Sequence, residues 1–268
     1  MLITRLLTAA VLAGLFIPAV MLLGPGEWRL LCLAIIAWGA MEWSALSGVS
    51  GRLMQACYAA CIAGSTLAAT EYPIPKDGWY LAAAMFWLLA VPVVLARGGF
   101  PNGTAVKLVA GGIVLIPASL AMIEIRNQSA GLLLVLMAIV WISDSSAFFA
   151  GRAWGRNKLA PGISPGKTWE GVYGALAAVL VYAIICVTAY GAQLVPGWLP
   201  EGVAGLLVAA FWLALAIAGI MGDLMESLLK RMAGVKDSGK LLPGHGGILD
   251  RIDALLPILP LAAIFYLR

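Results

Sequence analysis

The chain has 268 residues, of which 62% are hydrophobic and only 11% are charged, and its formal net charge is +4. A soluble domain averages about 45–50% apolar and about 25% charged residues, and a chain of this length leaves much of its surface facing water. The composition therefore excludes a soluble globular protein and a disordered one, and it predicts a helical integral membrane protein. The mild positive charge gives no reason to expect a nucleic-acid partner.

Nine apolar segments are candidate membrane helices, each of which needs about 20 mostly apolar residues. They cover roughly residues 6–23, 30–46, 53–70, 78–96, 108–123, 129–150, 169–190, 202–221 and 253–267. Residues 1–23 also have the shape of a signal peptide, but the many later segments favour a retained first helix. We therefore expect an all-α, polytopic membrane protein with about nine transmembrane helices.

Positive charge is distributed unevenly between the two sides that nine spans would create. Thirteen of the 17 Lys and Arg residues fall on the side of the N-terminus and of the loops 151–168 and 222–252. The remaining four are Arg29, Lys76, Arg126 and Arg268. Because positive residues accumulate on the cytoplasmic side of a membrane, we expect the N-terminus and both long loops to be cytoplasmic.

Sixteen of the 30 charged residues lie in two windows, residues 144–170 and 223–253. Solvated loops, or basic clusters that bind anionic lipids, would explain the lysines and arginines but not the acids among them. A site for a polyphosphate and a metal ion requires both signs, because carboxylates hold Mg²⁺ while Lys and Arg hold phosphate oxygens. The mixture of charges therefore indicates a site of this kind.

The second window combines a helix face with a turn-rich loop. The polar residues that share one helix face, at spacings i, i+3, i+4 and i+7, are Asp223, Glu226, Ser227 and Lys230. The following segment contains Asp237-Ser-Gly and Pro243-Gly-His-Gly-Gly, which are turn signals. Glycines in such a loop allow backbone N–H groups to approach phosphate closely.

Two acids follow that loop, Asp250 and Asp253, one turn apart at the start of the last predicted helix. If the intervening segment folds back, Asp223 and Asp250 face each other, and Mg²⁺ is typically held by one or two carboxylates plus substrate phosphates. Charge complementarity at a helix N-terminus is the alternative explanation for Asp250 and Asp253. It does not account for Asp223 at the end of a membrane helix.

The first window places an acid inside the membrane and phosphate donors beside it. Asp144 lies within an apolar segment, where an acid costs about 2.5–3.5 kcal/mol and usually faces a cavity or a partner; an interhelical hydrogen bond is the alternative. Gly166-Lys-Thr suggests a P-loop, but Gly162 is one residue too close to it and no soluble strand precedes it. Ser164, Thr168 and the N-terminus of the next helix can still bind phosphate.

The other polar residues carry weaker signals. Glu42, in the second segment, is most simply a boundary residue or a partner in a helix–helix hydrogen bond, and we assign it no chemistry. The four cysteines lie in apolar runs without a CxxC pair, so they indicate neither a zinc site nor a disulfide scaffold. His245 is the single histidine, which excludes a two-histidine metal site.

Two stretches resemble the signature of the phosphatidate cytidylyltransferase family, also called CDP-diacylglycerol synthases. They are S-x-x-K-R-x-x-x-x-K-D-S-G at 227–239 and P-G-H-G-G-I-x-D-R-I-D at 243–253. The segment Ser164-Pro-Gly-Lys-Thr-Trp-Glu-Gly171 and the stretch from Asp144 to Gly151-Arg152 are similar to the same family. The detailed resemblance covers roughly the last half of the chain, whereas the first 125 residues share only hydrophobic character.

The resemblance implies a Mg²⁺-dependent enzyme of the cell inner membrane, with its active site facing the cytoplasm. Such an enzyme joins CTP and phosphatidic acid into CDP-diacylglycerol and pyrophosphate in phospholipid biosynthesis, and the resemblance also implies a homodimer. The family's metal-binding carboxylates correspond to Asp223 and Asp250, with Asp253 beside them. Residues 126–268 are then the transmembrane catalytic region, and residues 1–125 are the N-terminal transmembrane helices.

The expected reaction is in-line attack of the lipid phosphate on the α-phosphorus of CTP, with metal and cations neutralising the pyrophosphate. The second pKa of a phosphomonoester is about 6, so the nucleophile is largely dianionic and no general base is required. The predicted catalytic residues are Asp223, Asp250, Asp253, Lys230 and Lys167, of which Asp223 and Asp250 hold the metal. The predicted substrate-binding residues are Asp144, Ser164, Thr168, Ser227, Arg231, Lys236, Asp237, His245, Gly246, Gly247 and Arg251.

Three other functions are alternatives to this one. A CDP-alcohol phosphotransferase would carry a D-G-x-x-A-R motif with paired downstream aspartates, which the sequence lacks. A transporter or channel would place polar residues at the middle of several spans and often shows an internal repeat, whereas the polar residues here cluster at one membrane face. An inactive, lipid-binding relative is the third alternative, and the intact acids argue against it.

Overall fold

The computed structural model describes residues 11, 14–72, 75–101, 103–241, 244 and 246–267. Within that part of the chain, seven helices are long and apolar enough to cross a membrane. They are α1 (Pro25–Leu46), α2 (Arg52–Glu71), α3 (Asp77–Arg97), α4 (Thr104–Gln128), α5 (Ala130–Trp154), α6 (Trp169–Leu194) and α7 (Ala204–Met232). Two shorter helices follow, α8 (Leu249–Ile252) and α9 (Leu255–Tyr266). The prediction of a multi-pass helical membrane protein is confirmed.

The seven long helices correspond to the second to eighth predicted segments. The first predicted segment, residues 6–23, lies largely outside the described residues, although residues 14–22 are helical. The ninth corresponds to α9, which has only 12 residues and is shorter than the roughly 20 residues that a span needs. The total of nine spans and the cytoplasmic N-terminus stay predictions.

The largest difference in bounds is at α7, which continues to Met232 instead of ending near residue 221. A hydropathy window ends a helix where charged residues begin. Here the charges pair within the helix, because Lys230 forms an ion pair with Glu226 one turn earlier. The helix therefore extends past the apolar segment and carries its acids towards the rest of the site.

A small β-hairpin lies within residues 151–168, which were predicted as a loop, so the fold is not purely α-helical. Its strands, β1 (Lys158–Ala160) and β2 (Ser164–Thr168), are antiparallel and joined by a three-residue turn. Thr168 then caps α6, because its Oγ1 accepts a hydrogen bond from the backbone N–H of Gly171 at 3.2 Å. The hairpin thus connects α5 to α6, which pack against each other.

Helix α9 lies at the centre of the bundle, where it packs against α3, α4, α5 and α7. Nine of its 12 residues are buried, as expected for a helix that is apolar on all sides. The helices of residues 1–125 and 126–268 therefore share one apolar core around α9.

A close contact between α7 and the start of α9 brings acids from the two segments together. A side chain at Gly222 would collide with the backbone oxygen of Asp253 and with the Pro257 ring. Small residues allow helix backbones to approach each other in this way within membranes. Because Asp223 follows Gly222 directly, its carboxylate and that of Asp253 repel each other when both are ionised.

Candidate active site

A cavity of about 610 Å³ opens between α5, the hairpin, the start of α6, α7 and α8. The residues of its wall that the sequence singled out are Asp144, Ser164, Lys167, Thr168, Asp223, Asp250, Arg251 and Asp253. Arg152, from the first charged window, lines it as well. Residues from both charged windows therefore meet in one space, and Asp223 and Asp250 lie on the same wall.

Three acids, Asp144, Asp223 and Asp253, lie on this wall. The Asp223 carboxylate lies 2.5 Å from Lys167 Nζ and accepts a hydrogen bond from Ser227 Oγ at 3.3 Å. Asp144 and Asp253 are each repelled by Asp223 when the groups are ionised. Carboxylates held together in spite of this repulsion form a surface that favours a cation.

The donors on the wall fit Mg²⁺ when its coordination is shared with a substrate. Among the described residues, no group of three or more His, Cys, Asp or Glu side chains is spaced to hold a metal ion alone. Mg²⁺ that bridges to substrate phosphates, however, takes only one or two protein carboxylates. Asp223 is the clearest such donor, because its side chain is 31% exposed and lines the cavity.

Asp250 differs from these acids, since both of its carboxylate oxygens are already engaged. Oδ1 accepts a hydrogen bond from Lys230 Nζ at 2.6 Å, and Oδ2 accepts hydrogen bonds from Ser238 N at 2.9 Å and from Gly247 N at 2.8 Å. Ser238 Oγ also lies 2.9 Å from Oδ2. Burial alone would raise the pKa of Asp250, but these bonds outweigh it and hold the pKa below its ordinary value. Asp250 thus orders the loop beside the cavity, and its direct contact with metal stays a prediction.

Lys230 lies between two acids and is not part of the cavity wall. Its ammonium group pairs with Asp250 and with Glu226, whose side chain is fully buried. Two carboxylates already neutralise this lysine, so the geometry favours a role in holding α7 to α8 over the predicted contact with phosphate.

Six other predicted residues are described but are not part of the cavity wall: Ser227, Arg231, Lys236, Asp237, Gly246 and Gly247. Arg231 Nε donates a hydrogen bond of 3.4 Å to the carbonyl of Ile163, at the turn of the hairpin. The backbone N–H of Gly247 is bonded to Asp250, so it is not free for phosphate as predicted. His245 lies outside the described residues.

Besides Arg152, which lines the cavity but was assigned no role, sequence reasoning missed Glu42. From α1, its carboxylate accepts hydrogen bonds from Ser238 Oγ at 3.0 Å, Ile248 N at 3.1 Å and Leu249 N at 2.9 Å, and only 6% of Glu42 is exposed. An acid within an apolar segment was the one available signal. Its partners lie 196 to 207 residues away in the chain, so no local pattern identifies them.

A larger cavity, of about 710 Å³, lies at the opposite ends of the helices. Its two cations, Arg29 and Lys76, are already paired, with Glu71 and Glu124 respectively. In the cavity around Asp223, by contrast, Arg152 and Arg251 form no ion pair with any described residue, so that cavity is better suited to a polyphosphate.

The sequence matches a known family over almost its whole length. Residues 3–267 match the model of the Cytidylyltransferase family. A phosphatidate cytidylyltransferase of Pseudomonas aeruginosa is 38% identical over 269 residues, covering 98% of this chain and 96% of that protein. The similarity therefore includes the N-terminal helices, where the motifs alone showed only hydrophobic character.

Two other relatives have higher identity over shorter stretches. A phosphatidate cytidylyltransferase of Haemophilus influenzae is 46% identical over 135 residues, which are 50% of this chain and 45% of that protein. One of Bacillus subtilis is 45% identical over 141 residues, which are 52% of this chain and 49% of that protein.

Proposed function

This chain belongs to the cytidylyltransferase family, and from that premise we propose that it is a phosphatidate cytidylyltransferase of phospholipid biosynthesis. It joins CTP and phosphatidic acid into CDP-diacylglycerol and pyrophosphate. The observation that carries the proposal is the convergence of both charged windows on one cavity in a bundle of membrane helices. A lipid substrate explains why a site with so many charges is embedded in so apolar a chain.

The reaction follows from the charges on the wall of the cavity. An oxygen of the lipid phosphate forms a bond to the α-phosphorus of CTP, and the bond from that phosphorus to the pyrophosphate oxygen breaks. The lipid phosphate has a second pKa of about 6 and is largely dianionic near neutral pH. No side chain therefore has to remove a proton from the nucleophile.

Lys167, Arg152 and Arg251 are the cations that line the cavity, and we assign them the phosphate oxygens of the two substrates. Lys167 is held in place by Asp223 at 2.5 Å. In this position its ammonium can be shared between that carboxylate and a phosphate. The hydroxyl of Ser164, on the same strand as Lys167, adds a neutral donor.

Asp223 and Asp250 are the proposed protein ligands of Mg²⁺, with Asp253 in support and Asp144 on the same wall. When bound, the metal supplies positive charge that neutralises the triphosphate and the departing pyrophosphate. Asp223 and Asp250 would hold the metal on the wall that also carries Lys167 of the hairpin and Arg251 of α8.

We further propose nine spans, with the N-terminus and this cavity on the cytoplasmic side of the cell inner membrane. Arg29 and Lys76 lie at the opposite end of the bundle from Arg152, Lys167 and Arg251. The excess of positive residues near the cavity supports the cytoplasmic assignment.

A homodimer is also proposed from the family resemblance. Chemical crosslinking of the purified protein tests it by the mass of the product.

The activity is tested by incubating the purified protein with radiolabelled CTP and phosphatidic acid, with Mg²⁺ or with EDTA. We expect label in the lipid fraction and release of pyrophosphate only when Mg²⁺ is present. CDP-diacylglycerol and an alcohol, the substrates of a CDP-alcohol phosphotransferase, are the control pair and give no product. If no label enters the lipid fraction in the presence of Mg²⁺, the proposal is contradicted. Nucleotide-independent uptake of a solute into liposomes would favour a transporter.

A further inference from the structure

We propose that Glu42 is a positioning residue for this site. Its buried carboxylate on α1 accepts hydrogen bonds from the loop that precedes Asp250, and these bonds hold Asp250 in its place on the wall of the cavity. The inference rests on the proposed function and adds to it a residue from outside the signature motifs. The segments concerned are residues 238–239 and 246–249, called the loop ends below.

Glu42 bonds to both loop ends at once. One carboxylate oxygen accepts hydrogen bonds from Ser238 Oγ, in the first loop end, and from Leu249 N, in the second. The other oxygen accepts a hydrogen bond from Ile248 N. Hydrogen bonds to an ionised acceptor are stronger than neutral ones, so one side chain of α1 closes the loop between α7 and α8.

Two of the three glycines of the loop ends, Gly239 and Gly247, are explained by this carboxylate. A side chain at Gly239 or at Gly247 would occupy the space that the Glu42 carboxylate fills. The N–H of Gly247 is bonded to Asp250, which leaves it unavailable for a phosphate. These two glycines therefore admit an acid from α1, and this replaces the explanation that they approach a substrate.

Ser238 links Glu42 to Asp250. Its N–H and its hydroxyl oxygen each lie 2.9 Å from Asp250 Oδ2, and the same hydroxyl oxygen lies 3.0 Å from Glu42. Glu42 also bonds to the backbone of Leu249, the residue directly before Asp250. The orientation of Asp250, and with it of the cavity wall around Arg251, therefore depends on an acid that does not line the cavity.

The test compares Glu42→Gln with Glu27→Gln in the full-length protein. Glutamine keeps the size of the side chain but has one acceptor oxygen, and its NH₂ group is a donor that would face the N–H donors of the loop ends. Glu27 lies in the first turn of the same helix, is exposed, and touches neither loop end. The two variants therefore lose the same charge from the same helix.

The first measurement is hydrogen–deuterium exchange of the protein in detergent, without metal or substrate. We expect the N–H groups of Ile248 and Leu249 to exchange about tenfold faster in Glu42→Gln than in Glu27→Gln, since glutamine leaves them one uncharged acceptor oxygen in place of two charged ones. The hairpin, residues 158–168, should exchange equally in both. Equal exchange at Ile248 and Leu249 overturns the proposal.

The second measurement is turnover of CTP and phosphatidic acid per folded protein. Residues that orient the ligands of a metal site typically change activity by about 10–100-fold, and we expect a loss of this size in Glu42→Gln but not in Glu27→Gln. Faster exchange with unchanged turnover also overturns the proposal, because Glu42 would then be structural only. If the wild type makes no CDP-diacylglycerol, the proposed function fails, while the exchange data still decide whether Glu42 holds the loop ends.

A variant that leaves α1 intact covers the case in which Glu42→Gln does not fold. Ser238→Ala removes the hydroxyl between the two carboxylates but keeps the bonds from Glu42 to Ile248 and Leu249. We expect faster exchange at Gly247 and about a tenfold loss of turnover. Wild-type values for both quantities contradict the proposed link from Glu42 to Asp250.

Discussion

Lys230 Nζ lies 2.6 Å from the carboxylate of Asp250, although 20 residues separate the two in the chain. The same ammonium pairs with Glu226, whose side chain has no exposed surface. One lysine thus connects the last turns of α7 to α8 and compensates a buried acid. Removal of one partner from such a group leaves an uncompensated charge in a place that water does not reach.

Lys230→Met should therefore destabilise the protein by about 3–5 kcal/mol, the usual cost of breaking a buried ion pair on one side. Thermal unfolding in detergent measures this. Lys240→Met, which removes an exposed lysine from the following loop, is the control and should change stability by less than about 0.5 kcal/mol. Adding Glu226→Gln to Lys230→Met should restore part of the loss. Equal stability of the two single variants contradicts the structural role of Lys230.

Asp250→Asn should lower turnover by about 100-fold or more, and saturating Mg²⁺ should not restore it. Asparagine offers one acceptor oxygen in place of two, so it cannot accept the hydrogen bonds of Lys230, Ser238 and Gly247 together. Turnover at several Mg²⁺ concentrations tests this, with Asp77→Asn, an exposed acid at the other end of the bundle, as the matched control. Near-normal turnover of Asp250→Asn at high Mg²⁺ would show that both its metal role and its loop role are wrong.

Lys167→Ala should raise the KM for CTP roughly 10- to 150-fold, because a hydrogen bond to a charged group contributes about 1.5–3 kcal/mol. Lys167 lines the cavity and forms an ion pair with Asp223. Lys158→Ala is the comparison, since Lys158 is exposed on the neighbouring strand of the hairpin. Initial rates over a range of CTP concentrations measure both constants. An unchanged KM in Lys167→Ala removes this lysine from the phosphate site.

The orientation in the membrane is testable with single cysteines in a variant whose four native cysteines are replaced. A cysteine at position 240, in the loop after α7, should react with an impermeant maleimide only in inside-out vesicles. A cysteine at position 77, at the start of α3 and at the opposite end of the bundle from the cavity, should react only in right-side-out vesicles. The reverse pattern would place the cavity outside the cell, where CTP does not reach it.

The sequence by itself determined the membrane class, the approximate positions of the seven described spans and eight of the residues that line the cavity. These properties follow from local chemistry. In lipid, the backbone N–H and C=O groups of an apolar run of about 20 residues must form their hydrogen bonds within the run's own helix. Spacings of three and four residues place Asp223, Ser227 and Lys230 on one face of α7. The end of α7 was missed because ion pairing between charged residues of one helix leaves no signal in the hydropathy profile. The hairpin was missed because its strands, of three and five residues, are too short to leave one.

Only the tertiary structure decided what each charged group touches. Motif spacing placed Asp250 and Lys230 at the site, but the ion pair between them and the hydrogen bonds of Asp250 depend on how α7, the loop ends and α8 pack. Glu42 shows the limit most clearly, because its partners lie 196 to 207 residues away and are brought to it by the folding of the whole bundle. A carboxylate has the same sequence signature whether it holds a metal, a lysine or a loop, and the donors that surround it in space decide which of these it does.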